Sequence, residues 1–199
     1  MCKVISIVNQ KGGCSKTTSA VNIGIGLANA GKKVVLIDAD AQGSLTASLG
    51  FQKPDELKVT LATIMAKTIN EEEIDLSKVI LHHEEGVDLV PGNIELSGLE
   101  VQLSNVLSRE LILKEFVDSL RDSYDYILID CAPSLGMMTI NALVTADEVI
   151  IPVQAAYLPV KRLQQLMKTI NMVKRRLHTK WKILLILYVR VCSPSAPLQ

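Results

Sequence analysis

Residues suited to binding a phosphate group lie close together near the start of the chain. The segment 11–18 reads KGGCSKTT, which places two glycines ahead of a Lys-Thr pair. Gly12 and Gly13 let backbone N–H groups wrap an anion, because no Cβ atom stands in the way. Lys16 can reach the β- and γ-phosphates of a nucleotide, and the Thr17 hydroxyl can bind Mg²⁺. The spacing therefore predicts a nucleotide-binding loop.

A strand and a helix are predicted to position this loop. Val4–Val8 is an apolar run with the length and β-branched content of a buried parallel strand. The helix begins at Lys16, and its N-terminus adds unpaired N–H donors and a partial positive charge. Gln10 and Ser15 stand where the common pattern G-x-x-x-x-G-K-[ST] has its outer glycines. A positive φ at Ser15 would cost the loop about 1 kcal/mol relative to glycine.

Carboxylates follow two further apolar runs. Asp38 and Asp40 come after the predicted strand Val34–Ile37, and Asp130 comes after Ile127–Ile129. The carboxyl ends of parallel strands are where open α/β sheets bind ligands. Asp130 is placed to hold Mg²⁺ through a water. For Asp38 and Asp40, a role in binding metal and water is favoured, and capping of the next helix is the alternative.

Three motifs resemble the ParA/Soj partition ATPases, over about residues 3–188. NQKGGCSKTT resembles the deviant Walker A loop of the ParA/MinD/Soj family, in which Lys11 is the extra signature lysine. DADAQG resembles switch I, with Ala41 where the family most often has proline. ILIDCAPSLG resembles switch II, with Gly136 as a hinge. The nucleotide-binding residues that the resemblance implies are Lys11, Gly12, Gly13, Cys14, Ser15, Lys16, Thr17 and Thr18.

The resemblance implies ATP and Mg²⁺ as cofactors. Thr17 would bind the metal, and Asp38 and Asp130 would act on it through water. The catalytic residues would be Lys11, Lys16 and Asp40. Asp40 would orient the hydrolytic water, while Lys11 would reach a γ-phosphate held by a second subunit. ATP would then join two chains into a homodimer.

The expected fold class is α/β, a P-loop NTPase-like three-layer sandwich with a mostly parallel central sheet and helices on both faces. Residues 1–188 would form the nucleotide-binding domain. Members of the family continue beyond the strand predicted at Lys182–Tyr188 with a further loop, helix and strand, so the chain is expected to be truncated at its C-terminus. The segment 189–199, VRVCSPSAPLQ, is predicted to be a disordered tail.

Composition restricts the partners. With 21 basic and 21 acidic residues the formal charge is zero, so DNA binding requires a local patch. The predicted helix 159–177 offers one, although solvated basic faces are common; its basic residues are Lys161, Arg162, Lys168, Lys174, Arg175 and Arg176. No apolar run is long enough to span a membrane and the chain enters a strand at once, so neither a span nor a signal peptide is expected. The four cysteines lie far apart, as in reduced cytosolic proteins.

The resemblance therefore implies an ATPase that segregates chromosomes or plasmids. It would be cytoplasmic and nucleoid-associated, bind DNA non-specifically, respond to a ParB-like activator protein and have no membrane partner. Two alternatives stay open: a truncated nucleotide-binding fragment without productive turnover, and a MinD-like membrane-surface ATPase. Cys14 lies near a helix N-terminus, which is expected to lower the pKa of its thiol, so that its oxidation or alkylation would block ATP; a buried, inert thiol is the alternative.

Overall fold

A computed structural model of the chain describes residues 1–154, 159–176 and 182–189. In these residues seven strands form one sheet in the order β3-β4-β2-β5-β1-β6-β7. All neighbouring strands are parallel except β3, which runs antiparallel to β4. The strands are β1 (Lys3–Ile7), β2 (Val34–Ala39), β3 (Leu81–His82), β4 (Val87–Val90), β5 (Tyr126–Cys131), β6 (Glu148–Gln154) and β7 (Lys182–Val189).

Helices cover both faces of the sheet. A short 3₁₀ turn, Pro54–Glu56, lies between the second and third helices. The helices are α1 (Lys16–Asn29), α2 (Ser44–Ser48), α3 (Leu61–Ile69), α4 (Leu76–Val79), α5 (Glu95–Leu103), α6 (Ile112–Leu120), α7 (Met137–Thr145) and α8 (Pro159–Arg176).

The central strands bury side chains on both faces, which explains their nearly continuous apolar sequence. Every residue of β2 is buried. Val35 and Ile37 belong to one hydrophobic cluster, with residues of α3, α5, α6, α7 and α8. Val34 and Leu36 belong to a second cluster, on the side of α1 and α2. Because side chains alternate along a strand, one strand supplies both clusters, and the predicted three-layer sandwich is confirmed.

The main differences from the sequence-based expectations are short elements. Two short elements that the sequence analysis does not predict, α4 and β3, lie within residues 70–86. His82 Nδ1 lies 2.5 Å from Asp88 Oδ1 on the neighbouring strand. At the other end, β7 includes Val189, one residue into the predicted tail. The rest of that tail, 190–199, lies outside the described residues.

Helix α8 begins at Pro159, as predicted, and is described as far as Arg176. Ile170 and Val173 are buried against the sheet. The described basic side chains are exposed, and they are Lys168, Lys174 and Arg175. Leu177 and the side chains of the other predicted basic residues lie outside what the structure describes. Among the described residues, no helix combines the length and the apolar character needed to cross a membrane.

Candidate nucleotide-binding site

The sheet topology brings the three predicted motifs to one edge. Strand β5 lies between β2 and β1, and Asp130 on β5 pairs in register with both Asp38 on β2 and Ile7 on β1. All three strands are parallel, so the segments that follow them leave the sheet side by side. The ends of β1, β2 and β5 therefore lie together at the centre of the sheet.

The loop after β1 is fastened to the sheet by Asn9, whose role the sequence analysis missed. Its side-chain nitrogen Nδ2 donates to the carbonyl oxygen of Pro152 on β6 at 2.5 Å. Its Oδ1 accepts a hydrogen bond from the backbone N–H of Lys11 at 3.0 Å. One amide side chain thus ties the start of the loop to a neighbouring strand. Asparagine directly after a buried strand was the available signal.

Two residues of the loop have left-handed backbone conformations. Gly13 has φ 68°, and Ser15, the N-cap of α1, has φ 63° and ψ 31°. The Ser15 side chain makes no capping hydrogen bond, although its carbonyl accepts from Ser19 N at 2.9 Å. The positive φ considered for Ser15 is therefore present, and no side-chain hydrogen bond to the helix offsets its cost.

Lys16 lies inside the loop rather than on the surface. Lys16 is buried, with 7% of its surface exposed. Its Nζ donates to the Lys11 carbonyl at 3.3 Å. Gly12, Gly13 and Thr18 are exposed along the same loop, and Lys11 is half-buried. The ammonium group therefore lies among the backbone groups that would face a phosphate.

Cys14 differs from its expected chemistry. It is buried, and its Sγ donates to the Lys11 carbonyl at 3.0 Å. Burial raises the pKa of the Cys14 thiol, and this effect outweighs the opposing charges of Lys16 and Lys11. The expectation of a lowered pKa was wrong, because the free-energy cost of burying a thiolate exceeds its stabilisation by the nearby positive charges. Cys14 is a packed thiol within the loop.

Thr17 and Asp130 form the contact most relevant to a metal. Thr17 Oγ1 donates to Asp130 Oδ2 at 2.6 Å. Among the described residues, the other oxygen, Asp130 Oδ1, is the buried side-chain polar atom that has no hydrogen-bond partner. Burial raises the pKa of Asp130 to about 7; the negative charges of Asp38 and Asp40 add to this, and Thr17 and Lys16 oppose it.

These two residues fit Mg²⁺. Hydroxyl and carboxylate oxygens are hard donors of the kind that Mg²⁺ prefers, and Mg²⁺ keeps most of its other positions for water and nucleotide phosphates. A buried carboxylate oxygen without a partner is destabilised until a donor or cation reaches it. In the described part of the chain, no group of three or more His, Cys, Asp and Glu side chains is arranged to hold a metal by itself.

Asp38 has a different environment. It is fully buried, and its Oδ2 accepts from both the backbone N–H and the hydroxyl of Thr46, at 2.8 and 2.7 Å. Its Oδ1 accepts from Asp40 N at 3.3 Å. Burial raises the pKa of Asp38 to about 6, against these hydrogen bonds. Asp38 therefore caps the first turn of α2, which is the alternative left open by the sequence, and its predicted contact with metal-bound water stays a prediction.

Asp40 lies where the chain leaves β2. It is half-buried, and its Oδ1 accepts from the backbone N–H of Gln42 at 3.0 Å, which holds the carboxylate in a tight turn. Its charge contributes to the raised pKa of Asp130, so the two carboxylates face the same region. The arrangement supplies a fixed acceptor at the edge of the site.

The comparisons with known proteins agree with this geometry. A family model described as an AAA domain matches residues 2–183. Over 179 residues the chain is 42% identical to the sporulation initiation inhibitor protein Soj of Bacillus subtilis, covering 90% of this chain and 69% of Soj. The chain belongs to the Soj/ParA family. This Soj/ParA chain spans 58–69% of the length of five curated relatives that it matches.

Solved structures share the fold of this Soj/ParA chain. A cobyrinic acid a,c-diamide synthase from Mycobacterium smegmatis, solved with an ATP analogue and magnesium, superposes with a TM-score of 0.82 at 37% identity, covering 88% of this chain and 70% of that one. A plasmid partition protein from Borrelia burgdorferi B31, bound to AMPPNP, gives a TM-score of 0.76 at 31% identity, covering 94% and 74%. Both neighbours carry a bound nucleotide.

Proposed function

We propose that the chain is a Mg²⁺-dependent ATPase of the Soj/ParA type that acts in chromosome or plasmid partitioning. The observation that carries the proposal is the Thr17–Asp130 contact at 2.6 Å directly below a loop that contains the buried Lys16. A metal-binding hydroxyl, a strand-end carboxylate and a phosphate-binding ammonium are the parts that phosphoryl transfer requires in P-loop proteins. The family membership and the nucleotide-bound neighbours support the same assignment.

The loop amides and Lys16 bind the phosphates. The backbone N–H groups at the start of α1 face the same region, where the helix dipole favours negative charge. Thr17 would hold Mg²⁺ directly, and Asp130 and Asp38 would hold it through water; a metal bound there would neutralise charge on the phosphate oxygens. Asp130 Oδ1 is suited to accept a hydrogen bond from a metal-bound water. Thr17 keeps the other oxygen of that carboxylate fixed.

Asp40 orients the water that attacks the γ-phosphate. The turn to Gln42 holds its carboxylate at the end of β2, beside the other two aspartates. A carboxylate in that position accepts a hydrogen bond from the water and aligns its lone pair with the phosphorus atom. Since phosphoryl transfer depends mainly on positioning and charge, the fixed turn is the main contribution of this residue.

Lys11 acts on the nucleotide of a second subunit. Its backbone is fixed, because Lys11 N donates to Asn9 Oδ1 and its carbonyl accepts from Lys16 and Cys14. Lys11 itself is half-buried. A second cation at the γ-phosphate stabilises the charge that develops there during transfer. ATP would thus join two chains into a homodimer.

The proposal extends to the setting of the protein. The proposed nucleotide-binding domain comprises residues 1–188, and β7 ends one residue later, at Val189. The exposed cations of α8 supply non-specific phosphate contacts to DNA; they are Lys168, Lys174 and Arg175. A ParB-like partner stimulates hydrolysis, and the protein works in the cytoplasm at the nucleoid.

Light scattering after size-exclusion chromatography tests the proposal, with ATP and Mg²⁺, with ATP and EDTA, and without nucleotide. The wild type is expected to double in mass only with ATP and Mg²⁺, and to release phosphate. Lys11→Ala should bind ATP and stay monomeric, whereas the matched variant Lys16→Ala should lose ATP binding itself. A wild type that binds ATP but neither dimerises nor releases phosphate would contradict the proposal and indicate a nucleotide-binding fragment. ATP-dependent sedimentation with vesicles would instead indicate a MinD-like protein.

The neighbour named as a cobyrinic acid a,c-diamide synthase favours a second candidate, an ATP-dependent synthase built on the same phosphate site. Phosphate release in buffer that contains only ATP and Mg²⁺ supports the ATPase. Release that requires added cobyrinic acid supports the synthase.

A further inference from the structure

Helix α7 receives its N-terminal cap from a distant helix. Its own N-cap residue is Gly136, which has no side chain to cap the first turn. The backbone N–H of Met138, in that first turn, donates instead to Glu100 Oε1 on α5 at 3.3 Å. A carboxylate at a helix N-terminus satisfies an otherwise unpaired N–H and interacts favourably with the helix dipole. Glu100 therefore replaces the local cap.

The same carboxylate explains the glycine at position 136. A Cβ atom on Gly136 would overlap Glu100 Oε1 and would lie 2.9 Å from Glu100 Cδ. Gly136 itself has φ −71° and ψ −173°, which other residues also adopt. The glycine leaves room for the carboxylate, and a larger residue there would make the Glu100 side chain shift. The hinge expected at Gly136 stays a prediction, and the structure adds a close contact with Glu100.

The first turn of α7 is hydrogen-bonded to the loop that leaves the nucleotide site. Strand β5 carries Asp130, and residues 132–136 connect that strand directly to α7. Within the connection, Gly136 N donates to Ser134 Oγ at 3.3 Å, and Thr139 Oγ1 donates to the Ser134 carbonyl at 3.0 Å. The loop is therefore bonded to the first turn of α7, and its position follows that turn.

We propose that Glu100 is a positioning residue for ATP hydrolysis: through its contact with Gly136 and Met138 it fixes the loop 132–136 beside the phosphate site. The inference rests on the proposed ATPase function and assigns to it a residue outside the three motifs. Glu100 does not touch the nucleotide in this role. It acts through α7, so its loss should change turnover rather than nucleotide affinity.

Three variants and a control test the role of Glu100. Glu100→Ala should reduce kcat about 10-fold and leave the dissociation constant of ATP within about twofold, because a small displacement of a positioning element mainly affects the reacting geometry. Glu100→Gln keeps an acceptor oxygen and should retain most activity. Gly136→Ala should reduce kcat on its own and add no further loss to Glu100→Ala, because the overlap is then absent. The control is Glu95→Ala, exposed on the first turn of the same helix, which should behave as wild type.

Hydrogen exchange without nucleotide separates this inference from the proposed function. The Met138 amide should exchange faster in Glu100→Ala than in wild type, and Glu100→Gln should retain most of the protection. Additive losses of kcat in the double variant, or unchanged exchange of residues 132–138 in Glu100→Ala, would overturn the inference. If the wild type hydrolyses no ATP, the proposed function fails, and the exchange rates alone then decide whether Glu100 orders this loop.

Discussion

The loops that follow β1 and β2 start their helices with the same backbone conformation but have opposite surroundings. The N-cap of α1 is Ser15, with φ 63° and ψ 31°, and the N-cap of α2 is Gly43, with φ 60° and ψ 27°. A Cβ on Gly43 would lie 2.9 Å from Pro54 and 3.0 Å from the carbonyl of Gly92. A Cβ on Gly13, in the first loop, would meet nothing within 4 Å. The same backbone conformation therefore gives a closely packed corner at the start of α2 and an open cradle for phosphate at the start of α1.

The carboxylates below the two loops differ in the same way. A first-turn threonine donates its hydroxyl to each of them, Thr17 to Asp130 at 2.6 Å and Thr46 to Asp38 at 2.7 Å. Asp38 also accepts two backbone N–H groups, whereas Asp130 Oδ1 has no partner among the described residues. Asp38 therefore stabilises the corner at the start of α2, whereas Asp130 Oδ1 can accept a hydrogen bond from a ligand.

The largest effect is expected from removing the hydroxyl on the open side. Thr17→Val should weaken ATP binding in Mg²⁺ by about 10- to 100-fold, because the metal loses a direct oxygen and the Asp130 carboxylate loses its positioning donor. In EDTA the same variant should bind ATP almost as the wild type does. Titration calorimetry under both conditions measures the ratio. An equal loss with and without Mg²⁺ would show that Thr17 does not act through the metal.

The matched change on the packed side should affect folding instead. Thr46→Val removes a donor from Asp38 and the acceptor that Gly92 N uses at 3.0 Å, and all three residues are buried. Losing the hydroxyl donor to Asp38 and leaving Gly92 N without its partner should lower the free energy of unfolding by about 2 kcal/mol. Urea denaturation measures it, and Thr46→Ser, which keeps the hydroxyl, is the control. If both variants unfold at the same urea concentration, the hydroxyl does not stabilise the corner.

The two carboxylates should also differ in how pH affects stability. Burial raises the pKa of Asp130 to about 7 and that of Asp38 to about 6 in the folded chain, while both return to about 3.9 on unfolding. The folded state therefore holds these protons more tightly. This contribution to stability is complete below about pH 4, decreases as pH rises and is lost above about pH 7.

Urea denaturation from pH 5 to pH 8, without Mg²⁺ or nucleotide, measures this dependence. We expect Asp130→Asn to remove a decrease of roughly 2 to 3 kcal/mol over that interval, and Asp38→Asn to remove a smaller one, because its pKa is raised less. Comparing each variant with the wild type cancels groups of opposite sign, such as Asp118, whose pKa is lowered. A larger change for Asp38→Asn would reverse the assignment of the two roles.

The sequence predicts which residues come together at the site, but it does not predict which hydrogen-bond partners each of them has. Parallel strands end at one edge, so the meeting of Asp38 and Asp130 with the loop follows from the order of apolar runs. The different roles of the two aspartates do not, because each follows a similar buried strand and the difference depends on the partners that reach each oxygen. Burial decides the chemistry of Cys14 in the same way, since its depth outweighs the helix N-terminus.

Contacts between distant segments were also beyond the sequence. Asn9 bonds to Pro152, 143 positions away, and Glu100 caps a helix 38 positions further on. No periodic pattern connects such pairs, and they exist only because the sheet order places β1 beside β6 and because α5 contacts α7. The short elements α4 and β3 lack enough residues to show a period. By contrast, the positive φ at Ser15 could be predicted, because the common pattern of phosphate-binding loops has a glycine at that position.

The smallest effect concerns the feature that the two loops share. Ser15 has the conformation that Gly43 adopts without strain, and its side chain makes no cap that offsets the cost. Ser15→Gly should remove about 1 kcal/mol of strain from the conformation that presents the loop amides to phosphate, and so tighten ATP binding by up to about fivefold. Ser15→Ala keeps the Cβ atom and should bind as the wild type does. Calorimetric titration in Mg²⁺ compares the three chains; equal or weaker binding by the glycine variant, or the same gain with alanine, would mean that backbone strain at this position does not limit nucleotide binding.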